Sequence, residues 1–172
     1  MNRFKNRLEK DGRTHTRRSL SRISISLMTL ALVGFSALTA LAQARPFHLV
    51  EHGSAKITPL PNNEGLQLSA EGTGNATHLG RFTLQRELTL TPTSDEGVFD
   101  VVGTATLTAA NDDQLFASIK GTANLNTGHA FLTYEWTGGA GRFQNASGKT
   151  TWLVEIHDDG TYDVVANGVI NF

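Results

Sequence analysis

The stretch FDVVGTATLTA, residues 99–109, shows the pattern that decides the fold. Apolar or small residues occupy every second position from Phe99 to Ala109, and Asp100 and three threonines lie between them. Successive side chains of a strand point to opposite faces, so this alternation predicts a strand with one buried face. Glycine and alanine in line with large apolar residues on that face suit a curved sheet, which favours a barrel over a flat sandwich.

The same alternation recurs along the chain, most clearly in residues 114–125 and 162–172. Clusters of Gly, Pro, Asn and Asp separate the alternating runs, as expected for turns between strands. The turn clusters are at 61–65, 72–75, 92–97, 111–113, 126–128 and 158–160. The predicted strands are roughly 47–57, 65–73, 77–91, 98–110, 114–125, 129–137, 149–158 and 161–171. We therefore predict an all-β fold, a closed antiparallel barrel of about eight strands.

The start of the chain carries the features of an export signal. Eight Lys or Arg side chains lie within residues 1–22, and residues 23–41 contain no ionisable side chain. Ala42-Gln43-Ala44 then fits the small-residue site that signal peptidases cleave. We predict a signal peptide at 1–44 and one barrel domain at 45–172, exported to the periplasm or the extracellular space of a bacterial-type cell.

Two aspects of this signal stay open. An uncleaved membrane anchor is an alternative, since residues 23–41 could roughly cross a hydrocarbon core of ~30 Å as a helix. Thr16-Arg17-Arg18-Ser19-Leu20 resembles a twin-arginine export signal. An ordinary Sec signal with a basic n-region is the alternative route.

The composition of the exported part excludes several functions. Removing residues 1–44 leaves seven Lys or Arg against fourteen Asp or Glu side chains, a net charge near −7. Phosphate backbones and anionic membrane surfaces repel such a domain, which argues against nucleic-acid binding and against membrane association after cleavage. The chain contains no cysteine, so disulfides, thiolate ligands and a cysteine nucleophile are excluded.

One glycine-rich segment resembles a known family. LTYE, residues 132–135, is followed by GGAGRFQNASG, residues 138–148. The second stretch resembles the G-G-x-G-x-F-x-x-A-x-G segment of allene oxide cyclases and plant dirigent proteins. Secreted bacterial proteins of the same barrel type show stretches similar to ATHLG, residues 76–80, and TAAN, residues 108–111. The resemblance covers roughly residues 72–172.

The resemblance implies an eight-stranded antiparallel barrel with a cavity, often assembled as a trimer. Its plant members guide cyclisation or radical coupling of hydrophobic small molecules. A glycine corner of this kind is structural, so it indicates the fold and is weak evidence for an activity. No catalytic residue of the plant proteins maps onto this chain. The predicted structural corner comprises Gly138, Gly139, Gly141, Phe143 and Gly148.

Arg86 is the first candidate for a ligand site. It falls on the same alternating face as Leu84 and Leu88, which predicts that it points inward. An arginine in an apolar interior needs a carboxylate, such as Glu135 or Glu155, or the polar end of a ligand. A bulge that turns Arg86 outward is the alternative.

Four more side chains are candidates for the same site. Glu135, Glu155 and His157 could serve as acid and base if their faces line the interior, and exposed rim residues are the alternative. His78 lies near a strand start at the mouth of the predicted barrel, where a structural hydrogen bond is the alternative role.

The HLVEH stretch, residues 48–52, matches the H-x-x-E-H pattern of zinc proteases, which requires a helix. Pro46 and Gly53 exclude a long helix, and an extended chain puts Glu51 on the face opposite both histidines. The aspartates at 112–113 and 158–159 lack the ligand spacing of a calcium loop. We predict no metal site and no cofactor.

Taken together, the features predict an exported barrel that binds a small, mostly apolar molecule without catalysis. Two alternatives stay open: a cyclase- or dirigent-like enzyme acting on a hydrophobic small molecule, and a structural or surface-interaction barrel without a ligand. The volume of the barrel interior distinguishes the barrel without a ligand from the other two functions, because a core filled by large side chains leaves no room for a bound molecule. The candidates for such filling are Phe82, Leu84, Leu107 and Leu115.

Export makes the first testable prediction. N-terminal sequencing of the exported protein should begin at or within a few residues of Arg45, because cleavage follows Ala44. Replacing Arg17 and Arg18 together by lysine should block export if the twin-arginine route is used. An intact Met1 in the exported protein would contradict cleavage, and unimpaired export of the double variant would indicate the Sec route.

Overall fold

A computed structural model of the chain describes residues 43–61 and 64–172. The predicted signal peptide, apart from its last two residues, lies outside the described residues. Eight antiparallel strands follow one another, and β8 pairs with β1, so the sheet closes into a barrel. Their bounds are β1 Arg45–Pro59, β2 Leu66–Ala76, β3 Gly80–Pro92, β4 Val98–Ala109, β5 Gln114–Asn124, β6 His129–Ala140, β7 Ser147–Ile156 and β8 Thr161–Asn171. The predicted closed antiparallel barrel of eight strands is confirmed.

Period-two alternation sorts the side chains between the interior and the outer surface. In β4, Val101, Ala105, Leu107 and Ala109 are buried, whereas Asp100 is exposed. Each of the other strands alternates in the same way, and the buried side chains form one continuous core. Within the described residues no helix is long and apolar enough to cross a membrane.

One predicted turn is wrong. Residues 72–75 continue β2 as far as Ala76, and the turn comes at 77–79, where His78 has a φ of 66°. Gly72 and Gly74 face the interior, and a Cβ on Gly74 would lie 2.8 Å from the Phe82 ring. These glycines therefore serve close packing inside the barrel, which a sequence pattern does not distinguish from turn chemistry.

The glycine-rich corner connects β6 to β7 at one end of the barrel. It contains the predicted short helical turn, a 3₁₀ turn at Gly141–Phe143, and Phe143 is fully buried against Phe172, with ring centroids 4.9 Å apart. Gly138, Gly141 and Gly148 have φ values of 117°, 64° and 125°. Residues other than glycine rarely adopt these positive φ values, so the corner depends on glycine at these three positions.

Gly141→Val should destabilise the barrel. The left-handed backbone alone costs roughly 1–3 kcal/mol for a residue other than glycine, and the new side chain would collide with the Asp113 carboxylate. Gly80→Asn is the matched control, because Gly80 has a φ of 72° but open space around it, and asparagine tolerates this conformation. Urea unfolding of both variants provides the measurement. Equal stability of Gly141→Val and the parent protein would contradict a corner constrained by glycine.

Candidate functional site

An apolar cavity lies inside the barrel at the end opposite the glycine corner, where the connections after β1, β3, β5 and β7 meet. Its volume, taken as the space open to the centre of a water molecule, is about 80 Å³. Larger hollows on the outer surface of β1–β4 are shallow and lined mainly by short polar side chains. The walls of the interior cavity include Ala55, Leu68, Ala70, Leu88, Val101, Ala123, Ala130, Leu132, Val154 and Ile156.

Side-chain size explains why the cavity lies in this half of the barrel. Alanines at positions 55, 70, 123 and 130 face the interior here and leave its centre free. The other half is filled by large residues that are at most 4% exposed, among them Phe82, Leu84, Leu107 and Leu115. The filled core that the sequence left open as an alternative is therefore present in one half of the barrel only.

A buried ion pair lies at the boundary between the two halves. Arg86 Nη2 contacts Glu51 Oε1, and the two side chains are 3% and 0% exposed. In β3, Arg86 lies between Leu84, in the filled half, and Leu88, which lines the cavity. Arg86 also lines the cavity. Arg86 therefore forms part of the cavity floor, and Glu51 lies behind it.

Two tyrosines add hydrogen bonds to this pair. Arg86 Nη1 donates to Tyr134 Oη at 2.9 Å, and Arg86 Nη2 lies 3.2 Å from Tyr162 Oη. Tyr162 Oη donates to Glu51 Oε1 at 2.7 Å. We refer to Glu51, Arg86, Tyr134 and Tyr162 as the polar cluster.

Aromatic rings surround the guanidinium. Tyr134 stacks on Trp152 with ring centroids 3.8 Å apart and an interplanar angle of 8°. The Arg86 Cζ atom lies 4.8 Å from the Tyr162 ring centroid and 5.5 Å from that of Trp152. Trp152 Nε1 donates to Thr150 Oγ1 at 2.7 Å, which fixes the indole. Cation–π contacts of this kind add to the stabilisation of a desolvated guanidinium.

Glycines make room for the polar cluster. Gly53 pairs with Gly72 in β2 and with Tyr162 in β8. A Cβ on Gly72 would lie 2.7 Å from Tyr162 Oη, and a Cβ on Gly53 would overlap the same hydroxyl. The absence of side chains at these two inward positions lets Tyr162 reach Glu51.

The protonation states of the cluster follow from these contacts. Burial opposes the charge of Arg86, yet its contacts with Tyr134, Glu51 and Tyr162 raise the pKa of its guanidinium above the ordinary value. Burial raises the pKa of both Tyr134 and Tyr162, although Arg86 acts in the opposite direction. Both phenols therefore stay protonated at neutral pH, and Tyr162 donates to Glu51 whereas Tyr134 accepts from Arg86. The ion pair leaves the cluster without net charge.

Two polar atoms of the cluster have bonding capacity beyond the protein's own contacts. Glu51 Oε2 and Arg86 Nε are buried and have no hydrogen-bond partner among the described residues. A buried polar atom is costly unless it is paired, by a water molecule or by a ligand. Arg86 Nε can donate and Glu51 Oε2 can accept, so the cluster fits a ligand with a neutral polar end.

No protein-family model matches the chain, and no curated protein matches it in sequence. Among solved structures, the pterocarpan synthase dirigent protein GePTS1 is similar with a TM-score of 0.50 and 15% identity, over 76% of this chain and 91% of that one. The chain has a dirigent-like barrel fold. The pterocarpan synthase dirigent protein PsPTS1 gives a TM-score of 0.47 at 15% identity, over 76% of this chain and 95% of that one. Likeness at this identity concerns the fold alone.

Of the predicted ligand-site residues, only Arg86 faces the interior of the dirigent-like barrel. The expectation that Glu135 or Glu155 pairs with it is corrected, because both carboxylates are exposed on the outer surface. Glu135 Oε2 lies 3.7 Å from Lys149 Nζ on the neighbouring strand. Glu135 and Glu155 occupy outward positions of β6 and β7, one residue away from inward ones.

The two candidate histidines also lie away from the cavity. His78 is in the β2–β3 turn at the opposite end of the barrel, and its Nε2 lies 3.0 Å from the Pro46 carbonyl oxygen. His157 follows β7, and its Nε2 lies 3.0 Å from Asp163 Oδ2 on the outer surface. His78 thus makes the structural hydrogen bond that was its alternative role.

Sequence analysis missed Glu51 as the partner of Arg86, although the signal was present. The alternation Phe47, Leu49, Glu51 places this carboxylate on the buried face of β1, and the histidines at 48 and 52 are exposed. The extended chain expected for residues 48–52 already put Glu51 on the face opposite both histidines, but its contact with Arg86 depends on pairing across three strands. Among the described residues, no group of three or more His, Asp or Glu side chains is arranged to hold a metal ion.

Arg86→Met should lower the free energy of unfolding by about 3–5 kcal/mol, because Glu51 would stay buried without a counter-charge. Arg81→Met is the matched control on the outward face of the same strand and should change stability by less than about 0.5 kcal/mol. Urea denaturation followed by tryptophan fluorescence measures both. Adding Glu51→Leu to Arg86→Met should recover part of the loss. A near-zero effect of Arg86→Met would contradict a structural ion pair.

Asp163 joins two histidines on the outer surface. Its Oδ2 lies 3.0 Å from His157 Nε2 and its Oδ1 lies 3.0 Å from His52 Nδ1. The hydrogen bond to Asp163 raises the pKa of His157 above 6.5, and the bonds from His157 and His52 lower the pKa of Asp163 below 3.8. His157 thus contributes stability below pH 6.5 that is lost as the pH rises through its raised pKa.

A histidine titration followed by NMR tests this contact. Asp163→Asn should lower the pKa of His157, because the charge-assisted hydrogen bond is lost. Asp163 itself contributes stability above pH 3.8, which is lost as the pH falls through its lowered pKa. Asp100→Asn, on the outer surface of β4, is the control and should leave the His157 titration unchanged. An unaltered titration in Asp163→Asn would show that the contact is absent in solution.

Proposed function

We propose that this protein is an exported barrel that binds a small, uncharged and mostly apolar molecule in the interior cavity. The observation that carries the proposal is an apolar cavity whose floor includes Arg86 and Tyr162 of the polar cluster. Apolar walls bind the body of a ligand, and a few fixed polar groups orient one end of it. The dirigent-like fold agrees with this use of the interior, and the basic and apolar start of the chain supports export.

The polar cluster favours a particular kind of ligand. Arg86 is already neutralised by Glu51, so a carboxylate on the ligand would be buried without a free positive charge. A carbonyl or ether oxygen can instead accept a hydrogen bond from Arg86 Nε. The ligand must also be small, because a cavity of about 80 Å³ holds a small molecule or one end of a longer one.

A catalytic role is the second candidate, and one observation supports it. Tyr162 Oη lies 2.7 Å from Glu51 Oε1 beside the cavity, so a protonated phenol and a carboxylate form a connected donor and acceptor. Such a pair can give a proton to a bound molecule and take one back during an isomerisation or cyclisation. A substrate consumed by the parent protein but not by Tyr162→Phe would favour this role.

Binding can be tested with acetophenone, an uncharged apolar ring with one carbonyl, and with benzoate, which has the same ring and a negative charge. NMR titration should show saturable shifts of cavity residues with acetophenone and weaker binding of benzoate. Ala55→Phe should abolish binding, because Ala55 lines the cavity and is half-buried, so a larger side chain fills the space. Ser54→Phe, the neighbouring outward position, should leave binding intact.

Native mass spectrometry of protein purified from its source complements this titration. A co-purifying small molecule that is absent from Ala55→Phe would support a ligand-binding barrel. Absence of both a co-purifying molecule and any acetophenone binding would overturn the proposal and favour a structural barrel without a ligand.

A further inference from the structure

The first residues of β1 are held in place by the last strand of the barrel. The pairing of β1 with β2 begins at Leu49, and the preceding residues 45–48 pair with β8, with Arg45 opposite Ile170. Phe47 is 2% exposed, and its ring centroid lies 5.2 Å from that of Trp136. The start of β1 is therefore part of the packed core.

The β2–β3 turn holds the other edge of this segment. Thr77 N donates to the His48 carbonyl oxygen at 2.9 Å, and His48 N donates to Thr77 Oγ1 at 2.9 Å. His78 Nε2 lies 3.0 Å from the Pro46 carbonyl oxygen. Residues 46–48 are thus bonded on both edges in the folded barrel.

Phe172, which follows β8, packs over the same segment. The Arg45 Cζ atom lies 4.5 Å from the centroid of the Phe172 ring, and the His78 ring centroid lies 5.5 Å from it. Phe172 also packs against Phe143 of the glycine corner. The start of β1 is therefore fixed only once β8 has formed and paired with it.

These contacts bear on the predicted cleavage site, because the bond between Ala44 and Arg45 directly precedes them. Gln43 and Ala44 are exposed and lie outside any strand, whereas Arg45 is the first residue of β1. Proteases act on segments that are locally open, so cleavage next to a folded segment first requires that segment to detach. Detaching residues 45–47 would remove Phe47 from the core.

We propose that the predicted signal peptide is removed before β8 pairs with β1, and that the closed barrel protects the bond between Ala44 and Arg45. The inference rests on the export part of the proposed function and does not involve the cavity. A chain that crosses the membrane already folded, as on the twin-arginine route, would present this bond in its protected form. The proposed order therefore favours the Sec route.

The full precursor and a purified signal peptidase provide the test. The peptidase is added either during cell-free synthesis or after the barrel has folded, and the loss of residues 1–44 is followed on a gel. Cleavage of the folded precursor should be slower by about tenfold or more, because it waits for local opening. A precursor with a Gly-Ser linker between Ala44 and Arg45 is the matched control. It should be cleaved equally fast at both times, because the linker separates its cleavage site from β1.

Phe172→Ala supplies a second test, because it removes the ring that packs on Arg45 and His78 and leaves the cleavage site unchanged. It should speed cleavage of the folded precursor, whereas Phe116→Ala, at an exposed phenylalanine of β5, should not. Circular dichroism checks that both variants are folded.

Equal cleavage rates for the parent precursor at both times would overturn the proposal, and so would slow cleavage of the folded precursor that carries the linker. If neither precursor is cleaved even during synthesis, the predicted signal peptide itself is wrong, and the export part of the proposed function fails with it.

Discussion

The ion pair between Arg86 and Glu51 is the interaction on which the other features of the barrel interior depend. Each charge alone would be costly to bury, and the pair is tolerable only with further hydrogen bonds. Tyr134 and Tyr162 supply these bonds, Tyr134 from β6 across the barrel and Tyr162 from β8, the neighbour of β1. Gly53 and Gly72 then have to stay without side chains, because Tyr162 occupies that space. One arginine thereby constrains residues on four other strands.

The same pair lies at the boundary between the filled half of the barrel interior and the half that contains the cavity. Large side chains on the corner side make a conventional core, which stabilises the barrel without any ligand. Alanines on the other side leave a cavity, so the proposed binding would use a different half from the one that stabilises the fold. A ligand entering the cavity would meet the polar cluster only at its inner end, with apolar walls along its length. Selectivity would therefore depend on length, shape and the polarity of one terminal group.

Alternation along each strand was sufficient to predict the eight strands, and it put Arg86 on an inward face while leaving an outward bulge as the alternative. Such a local pattern shows which face a side chain occupies, but it does not show which inward residues meet across the barrel. Arg86 and Glu51 are 35 positions apart, and their contact depends on the pairing of β1, β2 and β3. For the same reason the sequence alone allowed Glu135 and Glu155 as partners of Arg86. The sequence also predicts the end of β2 too early, at glycines that allow close packing inside the barrel.

Closure of the barrel also limits how this chain can contact another protein. Every described strand has two neighbours, so no unpaired edge is left to accept a further strand. Contacts between the barrel sheet and a partner must then be made by outward side chains, as they are when two sheets pack face to face. The polar outer surface of β2–β4 gives little apolar area for this, whereas β6, β7, β8 and β1 present a continuous row of exposed apolar side chains, Phe131, Leu153, Val165 and Val50. A ligand inside the barrel and a protein outside it would thus contact opposite faces of the same strands, and the alternation that builds the core keeps these two faces separate.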